Sequence, residues 1–275
     1  MANYTAADVK ALRERSGAGM MDCKSALDEA DGNVEKALEV LRLKGLKGVT
    51  KREGRTTSNG LIVARVSGNT GWLLELACET DFVAKADKFI ALSESIADAV
   101  VAAGAATLDE ALAADFGGKT VADAINDEAA IMGEKVELRR LAVVKGDAVD
   151  AYLHRTSKDL PPQVGVLVAY SGSDADTAHD VAVHIAAFSP VHLHRDDVDA
   201  DLVATERRIA EETARNEGKP EAALPKIVEG RVTGFFKENV LLEQDFAKDN
   251  KLTVAKVLEN AGVTVGEFVR FRVGA

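Results

Sequence analysis

Apolar residues recur at helical spacing over the first forty-odd positions, and β-branched or continuous apolar runs take over after residue 60. Val9 and Leu12, then Ala26, Leu27 and Ala30, then Val34, Ala37, Leu38 and Leu41 predict a three-helix module over residues 1–45. Thr5 and Asp8 have the spacing of a capping box, and Asp22 and Asn33 are candidate caps for the second and third helices. Ser16-Gly17-Ala18-Gly19 and Asp31-Gly32 break the pattern between them. Over residues 46–59 the periodicity gives way to Gly48, Gly54, basic residues and Thr56-Thr57-Ser58-Asn59, which predicts a linker.

Leu61–Val66 and Trp72–Ala77 read as strands joined by a turn at Gly68-Asn69-Thr70-Gly71, with Glu75 interrupting the second. One helix is expected from about Phe82 to Ala103, with Phe89, Leu92, Ile96 and Val100 on one face, and shorter helices around 108–114 and 119–132. Val136–Val144 and Val149–His154 are expected to form a second hairpin around Gly146-Asp147. A buried-type strand at Val164–Tyr170 and a helix from about Asp174 to Phe188, carrying Val181, His184, Ile185 and Phe188, then repeat the plan. The recurrence predicts an α+β fold of two related subdomains with antiparallel sheets, over residues 60–148 and 149–275. Residues 197–240 interrupt the second copy. Leu202, Ile209 and Thr213, then Ile227, Val228, Phe235 and Phe236, place a narrow apolar seam on two charged helices, as in a projecting coiled-coil hairpin. Val254, Val257 and Leu258 mark a last helix stopped by Gly262, and Phe268–Val273 a last strand.

Composition narrows the chemistry. The chain of 275 residues carries a formal charge of −11, which disfavours general binding to nucleic acid. The exception is the run of Arg42, Lys44, Lys47, Lys51, Arg52 and Arg55; it has no interleaved aromatics to stack on bases and reads as a solvated linker. Cys23 and Cys78 form no CxxC pair, the N-terminus has no signal pattern, and no apolar run matches a membrane span. A reduced cytoplasmic setting without membrane contact is expected. There is no P-loop, dinucleotide glycine motif or GxSxG, so no nucleotide-binding or acyl-transfer chemistry is expected. His192, His194, Asp196, Asp197 and His184 are the only foothold for a metal-dependent hydrolase, and alternate histidines after Pro190 read more simply as a solvated loop.

Three stretches carry a resemblance. They are Leu12-Arg13-Glu14-Arg15-Ser16-Gly17-Ala18-Gly19-Met20-Met21-Asp22-Cys23-Lys24-Ser25-Ala26-Leu27, Cys78-Glu79-Thr80-Asp81-Phe82-Val83-Ala84-Lys85, and His184-Ile185-Ala186-Ala187 before Pro190. Together they resemble the elongation factor Ts family, in order from residue 2 to residue 273. The resemblance implies a ubiquitin-associated-like N-terminal module, two related α+β subdomains and an inserted coiled coil. It implies a nonenzymatic guanine-nucleotide exchange factor for the GTPase elongation factor Tu, with no cofactor, no metal ligand and no catalytic residue. Thr80, Asp81, Phe82 and Val83 would then be the tip that dislodges the GTPase's Mg2+. Leu12, Arg13, Gly17, Gly19, Met20 and Met21 would dock on its nucleotide domain. His184, Ile185 and Ala187, together with His154 of a Tyr-x-His match, would lie toward the GTPase. A homodimer and a heterotetramer with elongation factor Tu are both compatible with the family. Many members carry a further C-terminal helical module, and this chain, ending at Ala275, is expected to lack it.

The residues by themselves leave alternatives open. Thr80 or Asp81 can cap the following helix, and Phe82 is then either a projecting group or a core residue. Met20 and Met21 are adjacent, so one helix face cannot bury both. The three-helix module could also serve a general adaptor, since a fold does not imply a function.

Overall fold

The computed structural model describes residues 3–16 and 18–275, and of residues 46–51 the backbone alone. Gly17 and the side chains of Lys47 and Lys51 lie outside the described residues. At the N-terminus α1 (Ala6–Ser16), α2 (Met20–Glu29) and α3 (Val34–Arg52) enclose a core of Leu12, Cys23, Ala26, Leu27 and Ala37. Thr5 and Asp8 form the expected box: Thr5 N donates to Asp8 Oδ2 at 2.7 Å and Asp8 N donates to Thr5 Oγ1 at 3.3 Å. Asn33 caps α3, accepting from Lys36 N at 3.0 Å. Asp22 caps nothing, because α2 already begins at Met20 with Gly19 as its cap.

The first sheet follows: β1 (Asn59–Ser67), β2 (Thr70–Cys78), then α4 (Asp81–Ala84), α5 (Asp87–Ala103), α6 (Leu108–Ala113), α7 (Val121–Met132) and β3 (Val136–Lys145). Its antiparallel order is β1-β2-β3. The single helix expected from Phe82 is divided at Lys85-Ala86 into α4 and α5. On one sheet face Leu61, Val63, Trp72, Leu74 and Leu76 pack against Phe89, Ile96 and Val100 of α5 and Val121 and Ile125 of α7. Trp72 Nε1 donates to Ala105 O at 2.9 Å, which satisfies the indole inside that core.

The stretch 46–59 is not a linker throughout, since α3 stays helical to Arg52. Tertiary contact extends it: α3 lies along α7, with Arg42 Nε and Nη2 donating to the two carboxylate oxygens of Asp127 at 3.1 Å each. A Cβ on Gly45 would stand 2.6 Å from Ala130 Cβ, so this glycine lets the helices cross closely. Packing of this kind overrides the weak helix propensity of glycine. It also occupies the basic run, because Lys44 pairs with Glu29 and Arg55 with Glu79 as Arg42 does with Asp127.

The second sheet uses β4 (Ala148–His154), β5 (Val164–Ser171), α8 (Ala175–Phe188), α9 (Ala200–Asn216), α10 (Leu224–Asn239), the short ribbon β6 (Asp245–Phe246) and β7 (Asp249–Thr253), α11 (Val254–Ala261) and β8 (Thr264–Arg272). Its antiparallel order is β4-β5-β8. The hairpin expected from residues 136 to 154 does not form: β3 pairs with β2 and β4 pairs with β5. Gly146-Asp147 instead carries the chain from one sheet to the other.

The two sheets stack face to face. Ile62, Leu73 and Val144 of the first meet Leu167, Ala169 and Phe271 of the second. A Cβ on Gly165 would lie 2.4 Å from Ile62 Cγ2, so a glycine is needed there for the sheets to approach. The outer face of the second sheet, Val166, Val168 and Tyr170, is covered by Val181 and Ile185 of α8 and Val254 and Leu258 of α11. The order of layers is helix, sheet, sheet, helix. This explains why β2 and β5 read as near-continuous apolar runs, for both of their faces are buried. The α9–α10 hairpin closes on Ala210, Val228, Val232 and Phe236, while Leu202 and Ile209, expected in its seam, are exposed.

Candidate functional site

β2 ends at Cys78 and the chain turns through Glu79 and Thr80 into α4. Thr80 is the N-cap and its hydroxyl accepts from Val83 N at 3.4 Å. One turn of helix then carries Phe82 outward with 74% of its surface exposed. The ring is flanked by Lys85, whose Nζ lies 4.5 Å from the ring centroid and 3.3 Å from Asp81 Oδ2. Val83 is half-buried, and Ala84 closes the underside of the turn.

The base of this tip is held from the α7–β3 turn. Glu134 Oε2 accepts from Glu79 N at 3.1 Å and Thr80 N at 3.0 Å, and Glu134 Oε1 accepts from Thr80 Oγ1 at 2.5 Å. In return Glu79 Oε1 accepts from Lys135 N at 2.6 Å and from Arg55 Nη1 at 3.2 Å. The bond from Lys135 N, against opposing burial, and then Arg55 hold Glu79 below the usual carboxylate range. Cys78 Sγ donates to Thr80 O at 3.3 Å, and burial, then the Glu134 carboxylate, push its thiol up to about 12. It is a buried thiol and not a nucleophile.

The residues expected to dock from the N-terminal module divide. Met20 and Met21 are both exposed, at 49% and 73%, and Arg13 and Gly19 are exposed beside them. Leu12 is a correction: it is fully buried at the centre of the three-helix core, where its spacing with Val9 places it. The match is at the level of the family. One family model, described as elongation factor TS, matches residues 79–275. Elongation factor Ts of Micrococcus luteus is 64% identical over 277 residues, covering 100% of both chains. That of Clavibacter michiganensis is 64% identical and that of Leifsonia xyli 60% identical, again over 100% of both chains. The chain belongs to the elongation factor Ts family.

Within this elongation factor Ts family member, the matched span opens at Glu79, so the tip and Glu134 fall inside it and Arg55 lies before it. His184 and Ile185 are corrections to the expected partner-facing set. Ile185 is fully buried in the second core. His184 is also enclosed: Ala247 N donates to its Nδ1 at 3.1 Å, and its Nε2 meets Gln244 Oε1 at 2.8 Å. Accepting at Nδ1 places the proton on Nε2, the ring stacks on Phe188 at 4.6 Å, and burial lowers its pKa. The signal for this was present in the sequence, because His184 follows Val181 at the helical spacing of the apolar face. Ala187 is exposed at the end of α8, next to an exposed Phe188. His154 is exposed at the end of β4, with Tyr152 Oη 3.1 Å from its Nδ1.

The candidate metal cluster does not assemble among the described residues. His184 has both nitrogens engaged, and Asp197 accepts from His194 N at 2.7 Å as a local cap. Among the described residues no helix is long and apolar enough to cross a membrane. Sequence reasoning missed Glu134, Glu79 and Arg55, since nothing in the local pattern joins positions 54 residues apart.

Proposed function

We propose that this chain is a guanine-nucleotide exchange factor that binds elongation factor Tu in its GDP form, displaces that protein's Mg2+ and releases GDP so that GTP can rebind during translation elongation. The observation that carries the reading is an exposed Phe82 on a turn anchored at its base, in a chain of the elongation factor Ts family. Such a factor makes and breaks no covalent bond. It needs only to hold the nucleotide-free GTPase more tightly than the nucleotide-bound one, and linkage then weakens the nucleotide. An acceleration of ~10⁴-fold corresponds to ~5.5 kcal/mol of differential stabilisation.

Mg2+ bridges a GTPase to the nucleotide phosphates, so a rigid apolar group that displaces it removes much of their hold. Phe82 is that group, with Thr80, Asp81 and Val83 forming its turn. Arg13, Gly19, Met20 and Met21 supply a docking surface, where flexible thioethers adapt to a partner. Ala187 and His154 give a second contact from the other subdomain. The three-helix module is read as ubiquitin-associated-like and the α9–α10 pair as a short coiled coil. The test is release of a fluorescent GDP analogue from elongation factor Tu of the same organism, with a substoichiometric amount of this protein. Acceleration supports exchange; unchanged release sinks it and leaves an adaptor acting through the three-helix module as the better reading.

A further inference from the structure

We propose that Glu134 is a positioning residue for the Phe82 tip, acting through a two-way carboxylate clamp between the β2–α4 turn and the α7–β3 turn. The inference rests on the exchange reading above. Phe82 is 74% exposed, with the Lys85 ammonium over its ring, so its pose is set mainly from its base. That base is Thr80, two residues before it. The Thr80 hydroxyl has a single hydrogen, which it gives to Glu134 Oε1, and this turns a lone pair toward Val83 N. Clamping and helix capping are therefore one arrangement, with Glu134 orienting the hydroxyl that starts the turn bearing Phe82.

The backbone is fixed in the same way. Glu134 Oε2 takes both successive N–H groups, of Glu79 and Thr80, while Glu79 Oε1 takes Lys135 N from the opposite turn. Each carboxylate thus satisfies backbone donors of the segment that carries the other. Arg55 closes on Glu79 from below, and Asn59 Nδ2 donates to Glu79 O at 2.8 Å. Hydrogen bonds from N–H and O–H to a charged carboxylate are stronger than neutral ones, and here they converge on two residues of one tip. A wedge must reach its target without first being ordered, because ordering would subtract from the binding energy available to displace the ion.

The experiment uses the full-length protein and its Glu134→Ala, Glu134→Gln, Phe82→Ala and Glu134→Ala/Phe82→Ala variants. GDP release from elongation factor Tu is followed over a range of factor concentrations. Glu134→Ala is expected to lower the saturating rate by about tenfold, the scale of one charge-assisted hydrogen bond, with the half-saturating concentration within about twofold. Glu134→Gln retains an acceptor for the two amides but reverses the bond to Thr80, and falls between Ala and the parent. In the Phe82→Ala background, Glu134→Ala adds less than about twofold, because both changes remove the same wedge. Amide exchange supplies a readout that does not depend on activity: Glu79 and Thr80 amides exchange faster in Glu134→Ala while those of Phe89–Val100 do not. A parental rate in Glu134→Ala alongside a slow Phe82→Ala overturns the positioning role. So does a double variant showing the full product of the two losses, or core amides that loosen as much as the tip. A parental rate in Phe82→Ala itself overturns the underlying exchange role of the tip, and this proposal with it.

Discussion

The carboxylate of Glu75 is fully buried between the two sheets, where Arg140 Nε donates to it at 2.6 Å. Arg139 reaches the same carboxylate, with Nη1 at 3.3 Å. Consecutive strand residues ordinarily point to opposite faces. Here the ladder shifts register between Glu75 and Leu76, leaving Arg139 without an opposite residue, and the bulge lets both guanidinium groups converge. Arg140 also stacks on Phe271 at 4.4 Å and donates to Arg272 O at 2.8 Å, so the pair ties the first sheet to the last strand of the second.

This arrangement is asymmetric, because the arginines retain some access to water and Glu75 has none. Removing a cation from a buried pair costs about 3 kcal/mol, so Arg140→Met is expected to destabilise by roughly that amount. Glu75→Met is expected to cost less, since the freed guanidinium groups can turn to solvent. Urea denaturation of the two variants decides the order. A larger loss in Glu75→Met would mean that the bonds its carboxylate accepts from Arg139, Arg140 and Gly274 N hold the sheets more strongly than the pairing of either arginine alone.

Phe82→Ala removes an exposed ring, and its effect on stability is expected to stay within about 0.5 kcal/mol. Its effect on exchange is expected to be large, with GDP release from elongation factor Tu slowed by about tenfold or more. Thermal unfolding and stopped-flow nucleotide release on one preparation separate the two. Loss of stability in step with loss of activity would show that Phe82 packs against something in the free protein.

Leu12 and Met21 should respond in opposite ways. Leu12→Ala opens a cavity in the three-helix core and is expected to cost about 3 kcal/mol of its stability, seen as faster amide exchange across α1–α3. Met21→Ala should leave that exchange unchanged and weaken binding to elongation factor Tu by calorimetry. Unaltered affinity in Met21→Ala would remove Met21 from the docking surface.

His184 predicts a pH dependence. Burial lowers its pKa from the ordinary 6.5, so the unfolded chain binds this proton more readily than the folded one. Stability is therefore full above about pH 6.5 and falls as pH drops from there toward the folded value, where the buried ring must charge. Carboxylates such as Asp8 and Glu79, held below their usual range, stabilise the fold at neutral pH and lose that contribution only at more acidic pH than His184 does. His184→Gln should lower stability at pH 7 and flatten the slope between pH 7 and 5. An unchanged slope would show that His184 does not set it.

The sequence by itself determined most of the helices and strands, down to caps such as Thr5 with Asp8, because capping and periodicity are relations among residues three or four apart; it read 46–52 as linker and did not foresee the β6–β7 ribbon. It also pointed to Thr80–Val83 and the methionine pair through the motifs that contain them, but left open whether Phe82 projects or is buried. Pairing was decided only in the tertiary structure. Val136–Val144 and Val149–His154 look like a hairpin in sequence, yet stacking of two sheets offers each strand a deeper apolar surface than pairing with the other would. The same long-range packing carried α3 past its glycines to Arg52, whereas the burial of Leu12, His184 and Ile185 follows their helical spacing with Val9 and Val181. It also set Glu134 beneath Thr80, a bond between turns that no local pattern contains, since its geometry exists only once α7 and β2 share one core.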